Sequence, residues 1–297
     1  MSEERRAFPP DREGHISRSG VRLHYEVSGV GDPPLLFLPA WDIVHARTWK
    51  FQVPYFARRH RVVTVDPRGN GRSGRPTSPE AYTEAEHVRD AIDVMDEAGI
   101  ARAVVVAFSR GAWHAALLAA QHPDRVLGMV LAGSSSPLGG PSARAAYPFD
   151  EVLPTGESWA KYNRHYWRRD YRGFVEFFIS RVFTEPHSTK HIEDAVGWGL
   201  ETTADVLTAS EAAPRQLARL REDQEAARAV YRSIRCPLLI VHGSDDAIVP
   251  WSRGAAIAEV TGAPLVTIAG GGHHLFAREP VRMNLLLREF IDRRVIA

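Results

Sequence analysis

The sequence predicts an α/β protein: a mostly parallel, doubly wound sheet interrupted once by a helical insertion. Three observations carry that expectation. Apolar runs of strand length alternate with helix-length amphipathic stretches through residues 14–137 and again over 230–297, the pattern of a sheet covered on both faces. One junction, Val104, Val105, Val106, Ala107, Phe108, Ser109, Arg110 and Gly111, reads as a buried strand driven into a sharp turn with a serine at its apex. Over 138–229 the alternation stops, and the chain becomes helical and rich in aromatic side chains.

Taken in order, residues 1–13 are polar and proline-bearing and read as a disordered leading segment with no apolar signal core. Residues 16–28 alternate like an antiparallel edge hairpin, with Val21, Leu23, Tyr25 and Val27 on one face. Strands follow at 35–38 and 61–65. The second ends in Asp66, Pro67, Arg68, Gly69, Asn70, Gly71, Arg72 and Ser73, where the glycines allow a reversal and Arg68 can bind nearby carbonyls and carboxylates, a structural role. Residues 82–98 form an amphipathic helix with Val88, Ala91, Ile92 and Met95 inward. The strand over 104–108 then delivers Ser109. Ala107 and Gly111 leave room for a strained backbone there, and the helix formers of 112–120 point a helix N-terminus at the hydroxyl. Apolar strands at 126–132, 237–243 and 265–268 and a helix at 281–291 complete the core of 14–137 and 230–297. The insertion at 138–229 makes a helical cap over the serine.

The small-x-Ser-x-Gly elbow is followed by an apolar strand into Ser244, Asp245, Asp246, Ala247, Ile248, Val249 and Pro250, and later by Ala269, Gly270, Gly271, Gly272 and His273. With these motifs the chain resembles the α/β-hydrolase superfamily, in which the triad follows the order serine, acid, histidine. The resemblance implies the α/β-hydrolase fold, with Ser109 as nucleophile, Asp246 as acid and His273 as base. A serine hydroxyl is a weak nucleophile until an imidazole takes its proton during attack, and a buried carboxylate fixes the imidazole tautomer and stabilises the imidazolium. Asp245 is the rival for the acid and His274 for the base. The interval from His273 to Pro280 matches the family's, and no carboxylate ends the 126–132 strand, where some relatives carry the acid. The Asp66–Ser73 turn also resembles a family motif. After the 35–38 strand, where many relatives carry His-Gly, this chain reads Pro39, Ala40, Trp41, Asp42. The implied oxyanion donors are the backbone N–H groups of Trp41 and Arg110, and Ala40 puts the backbone path of that loop in question. Trp41 reads as a pocket wall or as core packing. Arg110 reads as a salt bridge to the cap or, alternatively, as a reader of acidic substrates.

The candidate substrate-pocket residues are Trp41, Phe108, Tyr162, Tyr166, Trp167 and His274. Most other cap aromatics are expected to pack among themselves, because a small helical insert needs large side chains to bury enough area. Arg164, Arg168, Arg169 and Arg172 read as a solvated helix face or, alternatively, as readers of an anionic substrate, and His114, His165, His187 and His191 lack metal-ligand spacing. The formal net charge of +1 over 297 residues offers no steering field for nucleic acid or an anionic membrane. Cys236, the only cysteine, excludes an internal disulfide and reads as a small buried hydrophobe, and no segment has the apolar length of a membrane span. A cytoplasmic protein is expected, with oligomeric state open. The resemblance implies a serine hydrolase that cleaves a carboxylic ester or lactone of a small apolar-to-amphipathic acyl substrate, without metal or organic cofactor. Relatives with the same triad that cleave carbon–carbon bonds, act as lyases or perhydrolases, or bind ligands as low-turnover receptors stand as alternatives. The branches with an aspartate at the elbow are set apart by Ser109.

Overall fold

The computed structural model describes residues 8–296. Its eight strands are β1 (Arg12–Arg18), β2 (Val21–Ser28), β3 (Leu35–Phe37), β4 (Val62–Val65), β5 (Ala103–Phe108), β6 (Val126–Ala132), β7 (Leu238–Gly243) and β8 (Leu265–Ile268). They form one sheet in the order β1-β2-β4-β3-β5-β6-β7-β8. The β1–β2 hairpin is antiparallel and pairs antiparallel with β4, whereas every later pairing is parallel. The sheet is covered on both faces, so its central strands are continuous apolar runs rather than alternating ones.

The helices sort onto those faces. α1 (Val53–Phe56) follows β3, α2 (Glu84–Glu97) follows β4, and α3 (Arg110–Gln121) follows β5. Between β6 and β7 stand α4 (Arg164–Arg169), α5 (Tyr171–Val182), α6 (Thr189–Gly199), α7 (Ala204–Ala212), α8 (Gln216–Glu222) and α9 (Gln224–Arg232). After β7 come α10 (Trp251–Thr261), α11 (Leu275–Arg278) and α12 (Pro280–Phe290). Leu36, Val63, Val105, Met129 and Ile240 pack toward Val88 and Met95 of α2, Trp113 of α3 and Ile257 of α10. Their strand neighbours Leu35, Phe37, Val104, Val106 and Val241 pack on the opposite side, with Phe56, Phe276 and Phe290.

Two expected boundaries move. The segment 1–13 was expected to be disordered; residues 1–7 lie outside the described ones, but Arg12 and Glu13 open β1. Asp11 locks the start of that strand. Its N–H donates to the Val27 carbonyl at 2.9 Å, and its carboxylate accepts from Gly29 N at 2.6 Å. The expected cap limit at 229 falls inside α9, which packs on α3 and α10. The Tyr231 ring lies 5.9 Å from that of Trp113, and its hydroxyl donates to Ser136 Oγ at 3.0 Å. Helical periodicity is the same in a cap helix and in a layer helix, so sequence displays the helix but not the surface beneath it. Cys236 stands two residues before β7, half-buried, and burial lifts its thiol to about 11. Among the described residues no helix is long and apolar enough to cross a membrane.

The Asp66–Ser73 turn is held from inside. Arg68, fully buried, grips both oxygens of Asp90 at 2.5 and 2.6 Å and donates to the Ala81 carbonyl at 3.2 Å. Asp66 accepts from the backbone N–H groups of Arg72 (2.9 Å) and Ala46 (3.0 Å), which ties this turn to the segment after β3. Burial would raise the Asp66 carboxyl, but the hydrogen bond to His24 and the charge of His45 outweigh it and bring it to about 2.

His87 on α2 and His114 on α3 stack face to face, centroids 4.4 Å apart. Burial, followed by the charges of Arg110 and Arg215, depresses His114 to about 3, and burial with the neighbouring ring holds His87 well below its ordinary value. The unfolded chain takes up protons on these rings near their free value of about 6.5, whereas the folded chain keeps both neutral well below it, His114 down to about pH 3. Stability is therefore fully present above that window and falls as pH drops through it. His114→Phe keeps a stacked ring but removes one titrating group. Urea unfolding between about pH 5.5 and pH 4 is expected to show a pH slope shallower by about 1.4 kcal/mol per pH unit than wild type.

Candidate active site

Ser109 sits at φ 57°, ψ −128°, between the end of β5 and the first turn of α3. This is a left-handed backbone for a non-glycine residue, and it costs about 1–3 kcal/mol that the surrounding structure must supply. Part of the reason it holds lies two residues on. A Cβ on Gly111 would stand 2.0 Å from the Pro39 carbonyl oxygen, so only glycine lets the turn dock against the loop that follows β3.

Docked there, Ser109 meets two other loops. Its Oγ lies 2.9 Å from His273 Nε2, and His273 Nδ1 lies 2.7 Å from Asp246 Oδ2. Nδ1 donates to the carboxylate, which leaves Nε2 to accept the serine proton. The other Asp246 oxygen accepts from the backbone N–H groups of Ile248 and Val249, both at 2.8 Å, and His242 Nε2 stands 3.3 Å from Oδ2. Burial alone would raise the Asp246 carboxyl. The charge interaction with His273 and the hydrogen bonds from His242 and His273 overcome it and hold the group below the ordinary carboxylate range. Gly133, at the end of β6 with φ +48°, leaves the space this pair occupies: a Cβ there would lie 3.1 Å from His273 Nδ1 and 3.2 Å from Asp246 Oδ2.

The rivals are elsewhere. Asp245 is exposed and accepts from its neighbour Ser244 Oγ at 2.7 Å. His274 is buried, with Nε2 2.5 Å from Thr48 Oγ1 and its ring stacked 4.4 Å from Phe108. Burial, and secondarily the His273 charge, push His274 down to about 3, so it stays neutral.

The cavity in front of Ser109 is bordered by Trp41, Phe108, Arg110, His273 and His274. The backbone N–H groups of Trp41 and Arg110 donate to no backbone carbonyl among the described residues. At Arg110 this follows from its place in the first turn of a helix, where an N–H has no intrahelical acceptor. Tyr162, Tyr166 and Trp167 do not reach the cavity. Tyr162 and Trp167 pack behind Trp41 at 5.6 and 6.0 Å, and Tyr166 bonds Asp170 at 3.1 Å beneath the Arg169 guanidinium. The cap wall is instead one face of α5 and its end: Phe178, Ile179, Val182 and Phe183. Their i, i+1, i+4, i+5 spacing is legible as a helix face, but nothing in it says that the face looks at the serine.

The cap also grips the loops it covers. Gly272 N donates to Glu185 at 2.8 Å, and His273 N to the Val182 carbonyl at 3.3 Å. Arg110 lies over the Trp41 ring, 5.1 Å from its centroid, pairs with Glu211 of α7 and donates to Ser210 Oγ at 3.3 Å. Ser210 in turn donates to the buried Asp42 at 2.5 Å; burial, against the opposing charge of Arg110, lifts the Asp42 carboxyl to about 6. Arg110 is thus the salt bridge to the cap. Away from this site, Glu13, His24 and Glu26 lie close enough to share an ion, yet Arg72 already sits 2.6 Å from Glu13 and 3.8 Å from Glu26.

A family model described as alpha/beta hydrolase fold matches residues 33–280. The 2-hydroxymuconate semialdehyde hydrolase of Pseudomonas sp. (strain CF600) is 26% identical, over 95% of this chain and 94% of its own. The human serine hydrolase BPHL is 25% identical, over 93% of this chain and 85% of its own. Among solved structures, Est816, described as an N-acyl homoserine lactone degrading enzyme, superposes with a TM-score of 0.77 at 26% identity, covering 93% of this chain and all of its own.

Arg110→Met would leave Glu211 with Arg215 as its remaining close partner, 2.9 Å away. Breaking a buried pair costs about 3–5 kcal/mol when the survivor has no partner. With Arg215 in place, a loss of about 1–3 kcal/mol is expected in urea unfolding. A loss within a few tenths would show that the strap contributes nothing.

Proposed function

The chain belongs to the α/β-hydrolase family, and we propose that it is a serine hydrolase that cleaves a carboxylic ester or lactone through an acyl-enzyme. The observation that carries this reading is the unbroken chain of hydrogen bonds from Asp246 through His273 to Ser109, ending in a cavity walled on one side by the cap residues Phe178, Ile179, Val182 and Phe183. In the first half of the cycle Ser109 Oγ attacks the carbonyl carbon while its proton passes to His273 Nε2. The oxyanion so formed is held by the N–H groups of Trp41 and Arg110. Collapse breaks the carbon–oxygen bond, and the imidazolium returns the proton to the departing alkoxide. In the second half water, deprotonated by His273, attacks the acyl-enzyme; the carboxylic acid leaves and Ser109 regains its proton.

Asp246 stays ionised throughout. It orients the ring and stabilises the imidazolium, and its suppressed proton affinity fits that duty. The two pre-positioned N–H donors supply stabilisation only as charge develops, the kind of interaction that lowers a barrier rather than merely tightening binding. The likeness to Est816, described as degrading an N-acyl homoserine lactone, supports a lactone among the substrates of this reading.

A fluorophosphonate probe with intact-mass readout tests the nucleophile: one adduct on the wild type and none on Ser109→Ala is expected. An unlabelled wild type, or a labelled Ser109→Ala, would overturn the assignment. Asp246→Asn would set the wrong imidazole tautomer, and kcat for an activated ester should fall by about 10³–10⁴ with KM changed far less. An unchanged kcat would remove Asp246 from the cycle.

A further inference from the structure

The cavity that the apolar face of α5 lines is also bordered by two cations without an ion-pair partner among the described residues. Arg253, in the first turn of α10, is 3% exposed, yet no carboxylate lies within ion-pair distance of it among the described residues. Only its Nε is engaged, donating to the Gly140 carbonyl at 3.0 Å; its two terminal nitrogens make no hydrogen bond there. Arg144, from the segment that enters the cap, likewise has no ion pair and rests on the Tyr162 ring, 4.7 Å from its centroid. Both border the cavity that holds Ser109 and His273.

This arrangement is costly for the fold alone. A cation buried without an anion beside it gives up hydration that one hydrogen bond only partly replaces, and a cation in the first turn of a helix also opposes the helix dipole. α10 has no acidic residue in that first turn to relieve it. The nearby carboxylates are engaged: Glu211 by Arg110 and Arg215, Asp246 by His273. Mutual repulsion adds to the cost, because Arg253 feels the charges of Arg221 and Arg144, and after burial these lower its proton affinity to about 10.

We propose that Arg144 and Arg253 together receive an anionic group of the substrate, so that the ester or lactone cleaved at Ser109 carries a free carboxylate. The planar guanidinium with two unengaged terminal nitrogens offers the paired N–H fork that a carboxylate accepts in bidentate fashion. The apolar α5 wall takes the methylenes between that carboxylate and the scissile carbonyl. The notion rests on the hydrolase reading above and names the substrate class for the same site.

Two 4-nitrophenyl esters of matched chain length test it, one with a terminal methyl (pentanoate) and one with a terminal carboxylate (hemiglutarate). Wild type should prefer the hemiglutarate by at least about tenfold in kcat/KM. In Arg253→Met and in Arg144→Met that ratio should fall toward one, with Arg253→Lys recovering part of it. Arg253→Met should also melt no lower than wild type, because a buried unpaired cation has been replaced by an apolar side chain. A lower melting temperature with an unchanged ester ratio would assign Arg253 to the fold and overturn the proposal. Equal turnover of both esters by the wild type would overturn it while leaving the hydrolase reading intact. Should neither ester be cleaved and the fluorophosphonate fail to label, the hydrolase reading falls by itself. The subsite is then judged by calorimetry of glutarate against Ser109→Ala, where binding abolished by Arg253→Met sustains it and absence of binding overturns it.

Discussion

Everything in the site depends on one strained residue. The backbone of Ser109 is held in a left-handed conformation that strand and helix geometry do not favour, and it survives because its neighbours leave it no alternative. β5 is buried on both faces and cannot slip, α3 is fixed by Trp113 and by the sheet beneath it, and Gly111 lets the turn press onto the Pro39 carbonyl. The loop docked there carries Trp41, which borders the same cavity as Ser109. One turn therefore fixes the Ser109 hydroxyl and docks the loop that carries Trp41, and the loops after β6, β7 and β8 need only meet it.

Ala40 occupies a position where a glycine would be expected. The path of this loop is held from outside. The Trp41 ring is clamped between the Arg110 guanidinium and the cap aromatics, and Asp42 is pinned by Ser210. A side-chain difference on the loop is absorbed by packing on its flanks.

Most of the scaffold was legible in the sequence. The strand and helix periodicities located the sheet and its covering helices, and the three motifs named Ser109, Asp246 and His273, which the fold brings within hydrogen-bond distance. Each of those signals is local. What escaped depends on contacts between distant segments. Tyr162, Tyr166 and Trp167 are aromatic residues on cap elements just as Phe178 and Phe183 are, and only the docking angle of α4 and α5 decides which group meets the cavity. α9 reads as any other helix until Trp113 is placed beneath Tyr231. The missing counter-ions of Arg144 and Arg253 belong to the same class, since an unmet partner can be recognised only when the surroundings are in place.

The grip of the cap on the serine and histidine loops has an evolutionary corollary. Gly272 and His273 are bonded to Glu185 and Val182, and Arg110, next to Ser109, is bonded to Glu211. An insertion attached this way is not an interchangeable module. A cap transplanted from a relative would bring a new cavity wall, but it would also remove the anchors that set the serine and histidine loops. Specificity in this chain can therefore drift through substitutions on the inner face of α5 far more readily than through wholesale exchange of the cap.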